Sequence, residues 1–442
     1  MRSHVIALVA LTLVSAGAAH GQTAEPVRLT LEDAIRRALD EGTAARIATN
    51  RTASAEARAL EARSVLQPQV SAGTLTANES LNLVTFGFTP APGEPPVVGP
   101  FNVVDAHVTV AMNVIDLAAR RRYAAAQAGV RVSEEDRRRI ENDVAAAVAS
   151  LYVSLGRSAA RIDEIQANVE LFEKLRQLAV DQKQAGLGTK LDTTRADVQL
   201  ARQRQTLLVA ANQRDVARLS LLRAIGADLG TDVVLVDDWT RAGDAVPTLS
   251  EALAAAKEGR PELTVIAERL RAAGLLEEAA RAEKLPTVAA QAQATESGNR
   301  VSDLAWSRTF AATVNVPIFT GRRVEARIAE ARAEREEVLL EQRDAERQVE
   351  QEVRQALLAI ENAKSRVELA GQSVRLAEEE LELASDRFKA GVASSIEVDN
   401  AQTSLASARD LRLDAQADEA QARFDLARAT GRIRTLIPKG ES

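Results

Sequence analysis

Two hydrophobic periods alternate along this chain of 442 residues. Between Val104 and Val114 every second position is apolar: Val104, Ala106, Val108, Val110, Met112 and Val114. Asp105, His107, Thr109 and Asn113 lie between them. Period two predicts a strand with one apolar and one polar face, and about twelve residues is the length of a tilted membrane strand. Residues 305–319 alternate likewise, Trp306, Phe310, Ala312, Val314, Val316 and Ile318 against Ser307, Thr309, Thr313 and Asn315. In 286–297, Val288, Ala290, Ala292 and Ala294 oppose Gln291, Gln293 and Thr295. The four expected strands are about 69–86, 101–116, 286–297 and 305–319, the first alternating least clearly.

Around the strands the period becomes helical. Helical segments over 30–66 and 248–284 precede each strand pair. Unbroken helices over 117–184 and 321–389 follow, and roughly 68 residues make a rod of about 100 Å. Ile360, Ala363, Val367, Ala370, Val374, Ala377, Leu381, Ala384 and Phe388 keep heptad spacing, with small residues that let a partner helix approach closely. Ile162, Ile165, Val169 and Phe172 do so more loosely. Short bends at 185–189 and 390–394 turn each rod back into a return helix, ending near Gly226 and Gly431.

The two halves are alike. Residues 180–226 align on 385–431 without a gap, matching Gly186 to Gly391, Ala196 to Ala401, Leu200 to Leu405 and Gly226 to Gly431. A period of half the chain implies a duplicated domain rather than a solenoid. The expected organisation is a signal peptide 1–21, a first repeat 22–228, an equatorial segment 229–247 containing Trp239, a second repeat 248–431 and a tail 432–442.

Composition narrows the function. Arg2, the apolar run Val5–Val14 and the small residues before Gln22 read as a secretory signal. There is no cysteine, and His107 is the one histidine expected in the mature chain, so a disulfide framework, a His-based metal site and a Ser-His-Asp triad are not expected. No phosphate-cradling glycine motif stands at a strand-to-helix turn. An enzyme is not expected, nor a cofactor, nor a nucleic-acid partner given a net charge of -7. Aromatics are only 3% of the chain, yet Phe86, Phe88, Phe101, Trp306, Phe310 and Phe319 cluster at the strands, where membrane-interface anchors belong. Arg308 lies on the apolar face between Trp306 and Phe310, where it can snorkel to headgroups. Four strands leave open edges, which hydrocarbon does not tolerate, so a spanning chain must oligomerise around a polar lumen.

These pieces resemble the outer membrane efflux protein family, the TolC-like outer membrane factors. The resemblance rests on VPIFTGRR at 316–323, its counterpart NVIDLAARRR at 113–122, and the tip pattern Arg387, Gly391, Ser394 or Ser395, Ala401 and Leu405. It implies a mixed α and β membrane protein, a homotrimer whose protomers each give four strands to a shared twelve-stranded outer-membrane barrel. The long helices would form a coiled-coil tunnel through the periplasm. It also implies two partners, a periplasmic adaptor and an inner-membrane transporter, with outer-membrane lipid around the barrel. The tip residues Gly186, Leu187, Thr189, Gly391, Val392 and Ser394 would dock the adaptor. Glu397 and Asn400 take the places where relatives carry two gate carboxylates, and Asp192 and Arg195 are their first-half equivalents, expected to pair between hairpins and hold the tip shut. Trp306, Arg308, Phe310, Phe319, Phe86 and Phe101 would anchor the barrel at the membrane interface, with Arg120, Arg121, Arg322 and Arg323 where strand becomes helix. His107 and Asp105 would line the lumen. A periplasmic coiled-coil scaffold or adaptor is the alternative.

Overall fold

The computed structural model describes residues 27–186, 188–240, 245–390, 392 and 395–436. The expected signal segment and most of the C-terminal tail lie outside them.

Each expected leading helix is in fact two. α1 (Leu31–Asp40) is capped by Thr30, whose side chain accepts from the Asp33 N–H, and α2 (Thr43–Ser64) restarts after Gly42. The second-half counterparts are α5 (Leu249–Gly259) and α6 (Pro261–Ala282). Thr248 and Glu251 form a reciprocal capping box on α5. Pro261 opens α6 at the position where its missing N–H costs nothing. Apolar periodicity runs through both breaks, which is why one continuous helix was expected.

The rods are α3 (Leu117–Gln184) and α7 (Arg323–Lys389); the return helices are α4 (Lys190–Ala224) and α8 (Ser395–Ala429). α4 packs on α3, α7 on α8, and the two hairpins meet through α3 and α8. Ile360, Ala363, Ala370, Val374, Ala377 and Ala384 are buried, and they pack with α8 residues such as Leu405, Ala408 and Ala401. In the first hairpin Val169 and Phe172 close on Leu200. α7 starts at Arg323, two residues later than expected, because Gly321 and Arg322 both take left-handed backbone (φ 60° and 64°) to turn the corner from the sheet.

The sheet is antiparallel, in the order β2 (Gln69–Asn82), β3 (Val97–Ile115), β5 (Thr287–Gly298), β6 (Ala305–Asn315). The first strand ends at Asn82 rather than at Phe86. The Asn82 side chain accepts from the Val84 N–H and starts a single 3-10 turn over Leu83–Phe86. β6 likewise stops at Asn315, before Pro317, which has no N–H for a ladder. β3 starts earlier than expected, taking in the last residues of the Pro-rich connector.

Midway along the rods, β1 (Val27–Leu29) pairs in parallel with β4 (Val233–Leu235) beside a core of Leu29, Ile35, Val148, Tyr152, Leu221, Leu222, Ile225 and Ile433. Tyr152 is buried there, and its hydroxyl donates to the Leu29 carbonyl (3.0 Å) and accepts from the Asp237 N–H. Burial pushes its pKa up to about 12. Trp239 lies flat on Gly156, where a Cβ would stand 2.4 Å from the ring. This contact ties the expected equatorial segment to the rod.

Candidate functional site

Register fixes the two faces of the sheet. Directly opposed residues share a face, and each strand alternates. One face carries Val70, Val110, Ala292 and Phe310 in one row and Ala72, Val108, Ala294 and Arg308 in the next. The other carries Ser71, Thr109, Gln293 and Thr309, then Gly73, His107, Thr295 and Ser307. On β3 the apolar run from Val104 to Val114 spans about 26 Å at a tilt of about 40°, close to the apolar band of outer-membrane barrels. Val108, Val110, Met112, Ile115, Trp306, Phe310 and Val314 are all exposed on it. The outer strands β2 and β6 each have an unpaired edge.

Helices attach at one end of every strand, so the turns 83–96 and 299–304 mark the far end. Arg308 stands three residues into β6 from that end, its guanidinium 5.8 Å from the centroid of the Trp306 ring. Trp306, Arg308 and Phe310 thus sit together on the apolar face, and Phe319 follows the strand, highly exposed. Phe86 belongs to the 3-10 turn. Phe101 departs from the expectation: it shares the face of Asp105 and His107, an odd number of residues from Val104, and so lies away from the apolar side.

At the strand-to-helix junction, Glu283 is the hub. Arg122, Arg323 and Arg327 all converge on its carboxylate. Burial raises its pKa, but Arg327 and Arg122 outweigh burial and hold it below the usual range. Arg121 pairs with Glu278 at 3.1 Å. Of the arginines expected at the strand-to-helix junction, Arg121 and Arg323 thus join Arg122 and Arg327 in clamping α3 and α7 to the end of α6. Sequence reading saw the basic cluster and missed its acidic partners, which lie about 160 residues away from Arg122.

The tip departs most from expectation. Gly186 takes left-handed backbone (φ 75°), where glycine is favoured. Leu187, Gly391 and Ser394 lie outside the described residues, and Val392 is exposed. Asp192 does not pair across hairpins. It is the third residue of α4 and accepts from the backbone N–H and hydroxyl of Thr189 (2.9 and 2.6 Å), which hold its pKa down. Glu397 pairs with Arg387 of its own hairpin at 3.3 Å. The Arg195 charge bears on Asp192 of its own helix and also on Asp399 of the other hairpin. Burial pushes the Asp399 carboxyl up and Arg195 pulls it back. Asn400 is exposed.

Within each hairpin the seam has an apolar centre flanked by ion pairs such as Arg176 to Asp197, Arg204 to Glu173 and Arg409 to Glu378. Between hairpins, α3 meets α8 through Arg157 to Asp414 (3.1 Å), Arg161 to Asp410 and Arg412 to Glu164. Burial raises the pKa of Glu164 and Asp410, against the pull of Arg412 and Arg161 respectively. On the two outer helices apolar residues stay exposed at steps of seven or eleven residues. α4 presents Leu191, Val198, Val209 and Val216, and α7 presents Leu383, Leu376, Leu369 and Leu358.

A long helical hairpin pair carrying a four-stranded, two-faced sheet is an arrangement shared with solved outer-membrane channels. A family model described as outer membrane efflux protein matches residues 252–432. The chain is 25% identical over 411 residues to the pyoverdine export outer membrane protein OpmQ of Pseudomonas aeruginosa, covering 91% of this chain and 85% of that one. It is 26% identical over 259 residues to the outer membrane efflux protein BepC of Brucella suis, covering 56% and 54%. Among solved structures, the Campylobacter jejuni CmeC outer membrane channel superposes with a TM-score of 0.80 at 17% identity, covering 91% of this chain and 85% of that one. The outer-membrane channel OprN gives 0.76 at 19% identity, covering 91% and 89%. The second half of the chain thus matches the outer membrane efflux protein family, and nearly the whole chain is similar to outer-membrane export proteins and channels.

Proposed function

We propose that this protein is the outer-membrane duct of a tripartite efflux or secretion system, a homotrimer that passively conducts substrates delivered by an inner-membrane transporter and a periplasmic adaptor. The observation that carries the reading is the sheet. Its lipid-like face is apolar over a membrane's depth, its other face is polar, and both outer strands have unpaired edges. Unpaired backbone is not tolerated in hydrocarbon, so β6 of one protomer must pair with β2 of the next. Three copies close a barrel of twelve strands. A soluble scaffold has no use for such a face.

The helices support the same closure. The lateral order in one protomer is α4, α3, α8, α7, so a ring sets α4 of one copy beside α7 of the next. The exposed valines and leucines of those two helices then become a buried seam. The equivalent elements of 22–228 and 248–431, joined through 229–247, support descent from a duplicated unit. The hairpin ends around Gly186, Thr189 and Val392 are the surface offered to the adaptor, together with Leu187, Gly391 and Ser394. Arg195 attracts Asp399 across the hairpins there, with Glu397 and Asn400 nearby in sequence. Trp306, Arg308, Phe310 and Phe319 hold the barrel at the interface.

The test is detergent-purified protein in a planar lipid bilayer, after its mass in solution has been measured. Discrete long-lived channels from a three-copy particle are expected. Protein that leaves membranes with alkali, without detergent, would overturn the reading.

A further inference from the structure

On the apolar side of the sheet the charges are balanced, with Arg308 and Glu296 in adjacent rows. The opposite face is not balanced. Its residues are Gln69, Ser71, Gly73, Leu75, Ala77 and Glu79 on β2 and Phe101 to Asn113 at odd numbers on β3. On β5 and β6 they are Ala289 to Ser297 and Ala305 to Asn315, again at odd numbers. Among these described residues there is no lysine or arginine, and there are two carboxylates, Asp105 and Glu79.

We infer that Asp105 and Glu79 make the barrel lumen a cation-selective filter, so that selectivity for charge is set in the outer membrane and not only at the periplasmic tip. The inference rests on the duct reading. Asp105 is held at the wall: its carboxylate lies 2.6 Å from Nδ1 of His107. The imidazole lies over Gly73, where a Cβ would stand 2.9 Å from Nε2, so position 73 leaves the ring its place on the sheet. In its neutral form the ring donates Nδ1–H to Asp105 and leaves the negative charge in place. Glu79 lies farther toward the outer end, opposite Phe101.

Magnitudes decide whether such charges reach a passing ion. Twelve strands about 4.8 Å apart and tilted about 40° close a barrel of backbone radius about 12 Å. Side chains reach several ångströms inward from it. The Debye length is about 10 Å at 0.1 M salt and about 3 Å at 1 M. Three copies of two carboxylates therefore act across the whole lumen at 0.1 M and on the wall layer alone at 1 M. At the tip, by contrast, Glu397 is already paired with Arg387.

The experiment is the reversal potential of single channels under a KCl gradient at pH 8, read as the permeability ratio of potassium to chloride. Wild type is compared with the isosteric double variant Asp105→Asn/Glu79→Gln and with Glu397→Gln. The expected result is a ratio above one for wild type that falls at least about twofold in the double variant and moves less in Glu397→Gln. It should also collapse toward one in wild type as salt is raised to about 1 M. Conducting channels whose ratio is unmoved by the double variant overturn the lumenal inference alone. Folded trimers that never conduct overturn the duct reading, and this inference with it.

Discussion

Asp192 and Glu397 occupy equivalent positions in the two hairpins, yet their neighbours give them different work. Thr189 precedes α4 by one residue, so its hydroxyl and N–H reach Asp192 and close a capping box. Glu397 instead turns to Arg387 across the bend. Thr189→Ala is expected to loosen the first turn of α4 by about 1 kcal/mol. Hydrogen exchange over 190–196 should speed up accordingly, with the rest of the rod unchanged. Glu397→Gln should leave its helix start unaltered, because that ion pair is exposed at both ends and screened by solvent. Equal protection of 190–196 in wild type and Thr189→Ala would remove the cap from this account.

Among the elements, the rods are bound by two kinds of seam. Within each hairpin an apolar centre is flanked by exposed ion pairs such as Arg204 to Glu173, which solvent screens. The α3–α8 seam relies on half-buried ion pairs, and two of its carboxyls, Glu164 and Asp410, are raised by burial. A carboxyl with a raised folded pKa holds more protons folded than unfolded. Its contribution is full below the ordinary carboxylate range of about 4 and is lost as pH rises through the raised value. Opening of this seam, measured by hydrogen exchange corrected for intrinsic rates, is therefore expected to be rarer at about pH 5 than at about pH 8. Faster opening at the lower pH would show that the arginine pairs, not burial, dominate.

At the scale of the whole molecule, a single protomer is incomplete. It leaves two sheet edges and two apolar helix faces uncovered. Val198 on α4 lies nine residues past Thr189 and Leu383 on α7 lies seven before Ala390, so the two stand at nearly the same height above the tip. The natural chain has no cysteine, so Val198→Cys/Leu383→Cys is a clean probe. Oxidation is expected to link protomers into a covalent three-membered ring, while either single variant stays monomeric in denaturant. Cross-links within one protomer would contradict the lateral order α4, α3, α8, α7.

The chain's periodicities alone determined a great deal. Period two in four stretches and heptads through the rods specify the element types, because each period places apolar residues on one side. Gly186 marks a bend. What they could not determine was pairing between distant residues. Glu283 gathering Arg122, Arg323 and Arg327, Asp399 answering Arg195, and Asp192 serving a cap all depend on which helices lie side by side. The same holds for breaks inside periodic segments. Gly42 and Pro261 interrupt the helices without interrupting the pattern, since apolar spacing reports which side faces the core and says nothing of chain direction. Phe101 shows the reverse: its type suggested the membrane, and only strand register assigned it to the other face.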